Sequence, residues 1–259
     1  MKSWIRGTWV LAAKDLRNLF LSPLFYIITG LCTIVWTLVY FLSLQEFASQ
    51  ATMSQFGGPQ GGPNLHFVVF AKHVSIVNLV MIFAVSALSM RLFTEEKRAG
   101  TMPLLLTSPV SATQITLGKF KAGVTAAWAL LAISAVYPVS LAVYSSIEWG
   151  PLATSYLGLM LVVACYVGVG MLASSLTDNT VVSVIMALIL NVLLWFVGAL
   201  SEASPGGAVN AVFEHLNFGA HFVNFIKGSL SVASLVFFAS VMALAVFLTQ
   251  RVVESARWR

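Results

Sequence analysis

Two carboxylates and two cations stand side by side at Glu95-Glu96-Lys97-Arg98, and Gly100-Thr101 and a leucine run, Leu104-Leu105-Leu106, follow at once. Adjacent acids and bases can grip a partner through charge-assisted hydrogen bonds, while leucines offer apolar contact. Other reactive constellations fail on spacing. A zinc protease needs H-E-x-x-H, whereas Glu214-His215 and His221 have the wrong order and separation. All four histidines (His66, His73, His215, His221) fall on one side of the apolar stretches, so a histidine metal site belongs there or nowhere. Gly118-Lys119 is followed by Phe120, and Thr113 stands where the first glycine of a Walker A loop belongs, so this chain does not bind ATP by that route. No Gly-x-Ser-x-Gly elbow and no Ser/His pair at membrane depth points to a protease.

What positions the charged run is a set of six apolar stretches. Residues 24–44, 74–90, 122–144, 152–175, 181–200 and 230–250 carry no acidic or basic side chain. A hydrocarbon core of about 30 Å needs roughly 20 apolar residues per crossing helix. Extended to their flanks, the spans are assigned to 24–44, 70–92, 115–144, 152–175, 181–200 and 230–250, within one transmembrane domain covering 1–259. With 59% hydrophobic and 9% charged residues the chain is no soluble globule, since ordinary domains carry about 25% charge. The expected fold class is an all-α integral membrane protein.

Charge fixes the expected orientation. With the N-terminus in the cytoplasm, 12 Lys and Arg fall inside (Lys2, Arg6, Lys14, Arg17, Arg91, Lys97, Arg98, Lys119, Lys121, Arg251, Arg257, Arg259) and 2 outside (Lys72, Lys227), while the acids divide almost evenly. That is the positive-inside bias, and both termini are expected in the cytoplasm. The net charge of +5 is thereby explained by orientation, with no nucleic-acid partner needed. No cleavable signal peptide is expected, because the first 20 residues hold four basic residues and no uninterrupted apolar core.

Residues 3–20 read as an amphipathic helix on the cytoplasmic surface, with Trp4 and Trp9 at headgroup level and Arg6, Lys14 and Arg17 on other faces. Ser22-Pro23 punctuates the chain before the first span. The Gly/Pro-rich stretch 45–65 reads as an outer loop, and Lys72 and His73 as snorkelling side chains at the outer interface. Between the second and third spans, Pro103 fits the first turn of a short helix and Ser111-Ala-Thr-Gln114 has the form of a capping box. Residues 95–108 are therefore expected to form a short helix pinned at the cytoplasmic interface. Gly158, Gly168, Gly170, Ser174 and Ser175 would let other helices approach the fourth span, and Pro138 should kink the third. Thr177-Asp178-Asn179 is a tight turn. Segment 201–229, too short to span and too apolar for water, reads as a re-entrant or interfacial helical pair. Cys32 and Cys165 lie mid-span, as buried thiols do. Within the spans the notable polar groups are Asn78 and Asn191; with Phe83 and Phe196 they are the candidates for a translocation path, although helix–helix bonding is the commoner role of such amides. Proton- and ion-coupled carriers use ionisable groups at membrane depth, and these spans are read as lacking them.

The run from Glu95 to Thr101, continued by Leu104-Leu105-Leu106-Thr107-Ser108-Pro109-Val110-Ser111, resembles the signature of ABC-2 type transporter permeases, most closely their gliding-motility-associated branch. The six-span layout is similar over essentially the whole chain, as in type V exporters. The resemblance implies that 3–20 is an elbow helix, 95–108 the coupling helix that docks on a cytosolic ATPase, and 203–228 outer re-entrant helices. It implies ATPase-coupling roles for Glu95, Glu96, Arg98, Gly100, Thr101, Leu104 and Leu105. It also implies a dimer of cytosolic ABC ATPases holding Mg-ATP, no cofactor in this chain, a second permease copy, and in this branch an auxiliary membrane protein with a periplasmic domain. Many relatives carry an acidic residue two positions after the Gly-Thr, where this chain has Met102-Pro103. The function so implied is the permease subunit of an ATP-driven exporter, surrounded by lipid in a bacterial inner membrane. Reversal of Glu95 and Glu96 to lysine is then expected to uncouple ATP turnover while leaving the chain in the membrane. The alternative is a scaffold that transports nothing and passes ATPase motion to a periplasmic partner; a passive channel would need a polar lining that these spans lack.

Overall fold

The computed structural model describes residues 2–55, 64–107, 110–141, 145, 147–203 and 215–256. All regular structure among them is helical. A surface helix, α1 (Lys2–Leu21), leads into α2 (Pro23–Gln55). A π-turn at His66–Phe70 opens the second span, which continues as α3 (Ala71–Ser89) and α4 (Arg91–Arg98). A short α5 (Met102–Thr107) precedes α6 (Ala112–Ser134) and α7 (Val136–Leu141), which together make the third span. Then come α8 (Trp149–Leu176), α9 (Thr180–Ala203), a nine-residue α10 (Phe218–Ile226) and α11 (Val232–Ser255). Six of these segments are long and apolar enough to cross a membrane. Six crossings return both chain ends to one side, called here the termini face.

The bundle is organised around α8. In its most apolar stretch 78% of residues are buried, against 22% for α9 and for α11. Its glycines explain how one helix accommodates so many neighbours. A Cβ on Gly158 would lie 2.7 Å from Phe225 of α10, on Gly168 3.1 Å from Ala245 of α11, and on Gly170 1.9 Å from Ser89 of α3. Lipid gives helices no hydrophobic reason to associate, so close backbone approach at small residues supplies the contact. On α6, a Cβ at Gly118 would lie 3.0 Å from Leu11, and this is how α1 seats against the third span.

Several expectations change at the helix ends. The first span runs on as helix to Gln55, so residues 45–55 of the expected 45–65 loop are helical; the Gly/Pro-rich part, 56–63, lies outside the described residues. Lys72 is exposed and pairs with Glu46 on that helical extension. His73 does not snorkel: it is fully buried, because Pro138 demands it. A proline lacks the N–H that would bond the carbonyl four residues back, here Ser134. His73 Nε2 lies 3.3 Å from that Ser134 oxygen. A carbonyl only accepts, so Nε2 carries the proton. The third span breaks at Ala135, three residues before the proline. Of the outer segment 203–228, α10 is described and the part at 204–214 lies outside the described residues. Asn217 caps α10 by accepting from Ala220 N, and Phe218, Phe222 and Phe225 are buried on α8 and its neighbours.

Candidate functional site

The charged run sits where the second span leaves the apolar bundle, and its first surprise is how it is attached. At Met90 the helix ladder opens, and Ser174 of α8 inserts into the gap. Its Oγ donates to Met90 O at 2.7 Å and accepts from Phe93 N at 3.0 Å and Thr94 N at 3.2 Å. Those two N–H groups would otherwise close on Ser89 and Met90. A side chain inserted into the i to i−4 ladder is a physical cause of a helix break. Thr94 Oγ1 also donates to the Met90 carbonyl. Thus α4 is a separate helical handle joined to α3 through a hydroxyl-bridged joint.

The handle is gripped on two sides. On one, Lys119 of α6, only 3% exposed in its side chain, lies 3.2 Å from Asp15 of α1 and 2.8 Å from Glu96. Lys14 of α1 reaches Glu96 at 3.3 Å. Burial pushes the Asp15 carboxyl above its ordinary range; the Lys119 ammonium opposes that, and Glu96 adds to it. Arg91 pairs with Glu95 one turn on at 3.0 Å and donates to Ser22 at the start of the first span. On the other side, Lys97 donates to Ser175 O at 2.8 Å and lies 3.2 Å from Asp178, fastening α4 to the turn between α8 and α9.

Beyond Arg98 the expected single helix at 95–108 is two helices. Gly100 takes a φ of +67°, a left-handed conformation that glycine adopts freely, and this turns the chain into α5. Pro103 stands in the first turn of α5, where its missing N–H is no loss. Ser111 and Gln114 form the capping box of α6 with both hydrogen bonds present. Ser108 and Pro109 lie outside the described residues, as do the side chains of Trp4 and Leu105.

The candidates therefore separate. Arg98, Thr101 and Leu104 are exposed, Leu104 at 72%. Gly100 is the bend. Glu95 is half-exposed and bound to Arg91. Glu96 faces inward to Lys119, which corrects its expected place on an outward docking surface. The reason is packing: the helical turn that presents Arg98 outward aims Glu96 at the cleft between α1 and α6. On α1, Trp9, Arg6, Lys14 and Arg17 are exposed as an amphipathic helix requires, but Asp15 is buried on its inner face.

The four path candidates are not gathered together. Asn78 is buried and its Oδ1 accepts from Tyr166 of α8 at 3.2 Å; Asn191 Nδ2 donates to Ser86 of α3 at 3.1 Å. Both amides tie spans to one another. Phe83 and Phe196 are more than half exposed on the outer surface of the bundle.

Sequence reasoning missed Asp15, Lys119, Ser174 and His73. Two of these left a trace. Asp15 falls on the helical stripe Thr8, Ala12, Asp15, Leu19, and Lys119 on the stripe Ala112, Ile115, Lys119, Ala122, all buried positions. An acid and a base each breaking an apolar stripe are a pairing signal. Ser174 and His73 left none, since their partners are backbone groups freed by a break elsewhere.

No curated protein matches the chain at a significant level. A sequence profile of the ABC-2 family transporter proteins matches residues 9–256, almost the whole chain and every element just described. The chain therefore belongs to the ABC-2 transporter family, as a multi-pass membrane permease component of an ABC transporter, a membership that implies an ABC ATPase partner.

Proposed function

We propose that this chain is the permease subunit of an ATP-driven exporter in a bacterial inner membrane, with its termini face in the cytoplasm. The positive-inside bias supports that orientation. A dimer of separate ATPase chains binds Mg-ATP and docks on the bend formed by Arg98, Gly100, Thr101 and α5. The observation that carries this reading is the contrast within the fourteen residues from Arg91 to Leu104. Arg91, Glu95, Glu96 and Lys97 are all engaged within the chain, while Arg98 and Leu104 stand clear at the tip and Thr101, exposed beside them, donates to the Glu96 carbonyl. A leucine left exposed on a short helix that follows an anchored one is suited to burial against a partner. Motion imposed on α5 passes through Gly100 to α4 and then, at the Ser174 joint, to the second span. Differential contact in two states is what such coupling requires.

A second copy of the chain completes the pathway. The outward stripe of α9, Val181, Ile185, Ile189 and Leu193, recurs every turn and ends in Phe196, and it is the surface proposed to meet that copy. Membership of the gliding-motility branch and an auxiliary periplasmic partner rest on the signature residues alone.

The test uses Leu104→Asp and Arg98→Glu, which leave the internal ion pairs alone. Co-purification of the full chain with its ATPase, identified by mass spectrometry, and ATP turnover of the complex are measured. The expected result is loss of both at unchanged membrane yield. Undiminished capture and turnover in both variants would overturn the docking surface. The double reversal of Glu95 and Glu96 is the wrong experiment, because it forces lysine 96 against buried Lys119.

A further inference from the structure

A groove lies between α1 and the first half of α6, on the lateral surface near the termini face. It encloses about 480 Å³ and is lined by Trp9, Ala13, Leu16, Phe120, Lys121 and Trp128. Its walls are apolar and its rim is cationic. Lys121 Nζ lies 5.1 Å from the centroid of the Trp9 ring, a cation–π contact that holds the ammonium over the mouth of the groove. Trp128 forms the opposite end and is fixed there by its indole N–H, which donates to Met160 O at 3.1 Å. Two more cations, Arg6 and Arg17, share the exposed side of α1 with Trp9 and Ala13, one turn before Trp9 and one turn after Ala13. Neither they nor Lys121 has a carboxylate partner among the described residues. The carboxylates of this region, Asp15, Glu95 and Glu96, are instead committed to Lys119, Arg91 and Lys14.

We propose that this groove is a binding site for one anionic phospholipid of the leaflet at the termini face. An acyl chain lies along Ala13, Leu16 and Phe120, and the phosphate is held by Lys121, while Arg6 and Arg17, about 16 Å apart on the same face of α1, add positive charge on either side. Charge selects the occupant. A zwitterionic lipid fills the apolar part equally well but brings its own ammonium to a rim that already carries three cations. Indole rings suit headgroup depth, where one edge is wet and the face is apolar, and Trp9 beside Lys121 places the cationic end of the groove there; Trp128, two helical turns further along α6, places the other end at acyl-chain depth. The site also has a structural consequence. A lipid bridging α1 and α6 reinforces the seat of α1 on the third span, which Gly118 permits and where Asp15 meets Lys119. The inference is independent of which cargo is moved and of where the ATPase docks.

The experiment weighs the intact, full-length chain by native mass spectrometry after titration with phosphatidylglycerol or phosphatidylcholine. One phosphatidylglycerol per chain is expected to remain bound at concentrations where phosphatidylcholine does not. Lys121→Gln should weaken its retention about fivefold, the value of one basic group at a lipid surface. Ala13→Trp, which fills the groove without touching a charge, should abolish it. Both positions are exposed, so neither variant disturbs the core, and Lys72→Gln on the opposite face should change nothing. Equal retention of the two lipids by the unaltered chain would overturn the proposal. So would a Lys121→Gln effect with none from Ala13→Trp, because that pattern means attraction to the surface charge without occupation of the groove.

Discussion

At the termini face Lys119, Lys97 and Arg91 tie α4 to α1, α6, the first span and the α8–α9 turn through carboxylates, carbonyls and a hydroxyl. At the opposite face α10 is held by rings: Phe218 lies 5.1 Å from Phe238 and Phe225 lies 6.1 Å from Phe238, while His66 Nε2 donates to Ile226 O at 2.8 Å. Ring packing is spread over many small contacts and weakens by degrees. A buried ion cluster depends on every member, so removal of one leaves a charge without a partner. The difference separates a face built to stay in one arrangement from a face whose arrangement can be exchanged for another. It is the exchangeable face that bears the exposed tip at Arg98 and Leu104.

The largest effect should come from attacking the two faces in parallel. Lys119→Met leaves Asp15 and Glu96 facing each other and is expected to cost about 3–5 kcal/mol of stability, the scale for breaking a buried ion pair. Phe238→Ala, fully buried in the native chain, is expected to cost a similar amount, about 3–5 kcal/mol. What distinguishes them is rescue. Adding Asp15→Asn and Glu96→Gln to Lys119→Met should recover most of the loss, because no charge is then stranded; no change of charge should rescue Phe238→Ala. Unfolding midpoints of the purified chain in detergent measure both. A triple variant as unstable as Lys119→Met alone would break the comparison.

Next in size is the joint between the faces. Ser174→Ala removes the hydroxyl that serves Phe93 and Thr94, and two buried N–H groups lose their acceptor. The expected cost is about 1–3 kcal/mol, with faster amide exchange at residues 93 and 94 and none at the α10 end. Unchanged protection at those two amides would mean that the ladder closes on Ser89 and Met90 by itself, and that Ser174 is not what holds the break open.

Smaller again is the bend. Gly100→Ala puts a Cβ on a residue at φ +67°, where nothing in space obstructs it but the backbone conformation is strained. The cost is roughly 1–2 kcal/mol, and it falls on a short exposed connection, not on the bundle. Global unfolding should therefore move little while ATP turnover with the partner ATPase falls. A full loss of folded protein would show that the tip is part of the core after all.

How much of this was legible in the chain follows from what each feature depends on. The six spans, the Ser111–Gln114 capping box, the amphipathic α1 and the glycine approaches on α8 were readable, because hydropathy, capping and small-residue packing are local or periodic. The extension of α2 to Gln55 was not, since its polar residues look like a loop until Glu46 is seen beside Lys72. His73 was misread as snorkelling for the same reason. Its partner is the Ser134 carbonyl, freed by a proline 65 positions away from it, and no pattern near residue 73 announces that. The run at 95–98 was singled out as a candidate, but not that its four charges divide between inward and outward positions. That division depends on where α1 and α6 lie.

The smallest effect tests how the termini face balances burial against pairing. Asp15 is buried in α1 beside Lys119, and burial outweighs the ammonium, so its carboxyl titrates above its ordinary value of 3.8. A carboxyl with a raised pKa binds its proton more tightly in the folded chain than in the unfolded one. Folding stability attributable to Asp15 therefore falls as pH rises from 3.8 through the raised value, and is regained as pH is lowered again. Asp15→Asn mimics the protonated form. The variant should be slightly more stable than the unaltered chain at neutral pH, and the two should converge as pH falls toward 3.8. Glu96 keeps Lys119 paired in both, so the difference belongs to Asp15. If Asp15→Asn is instead the less stable at neutral pH, attraction to Lys119 outweighs burial. The cluster would then be a net clamp on α1, as hard to exchange as the rings at the other face, and the contrast between the two faces would lose its energetic basis.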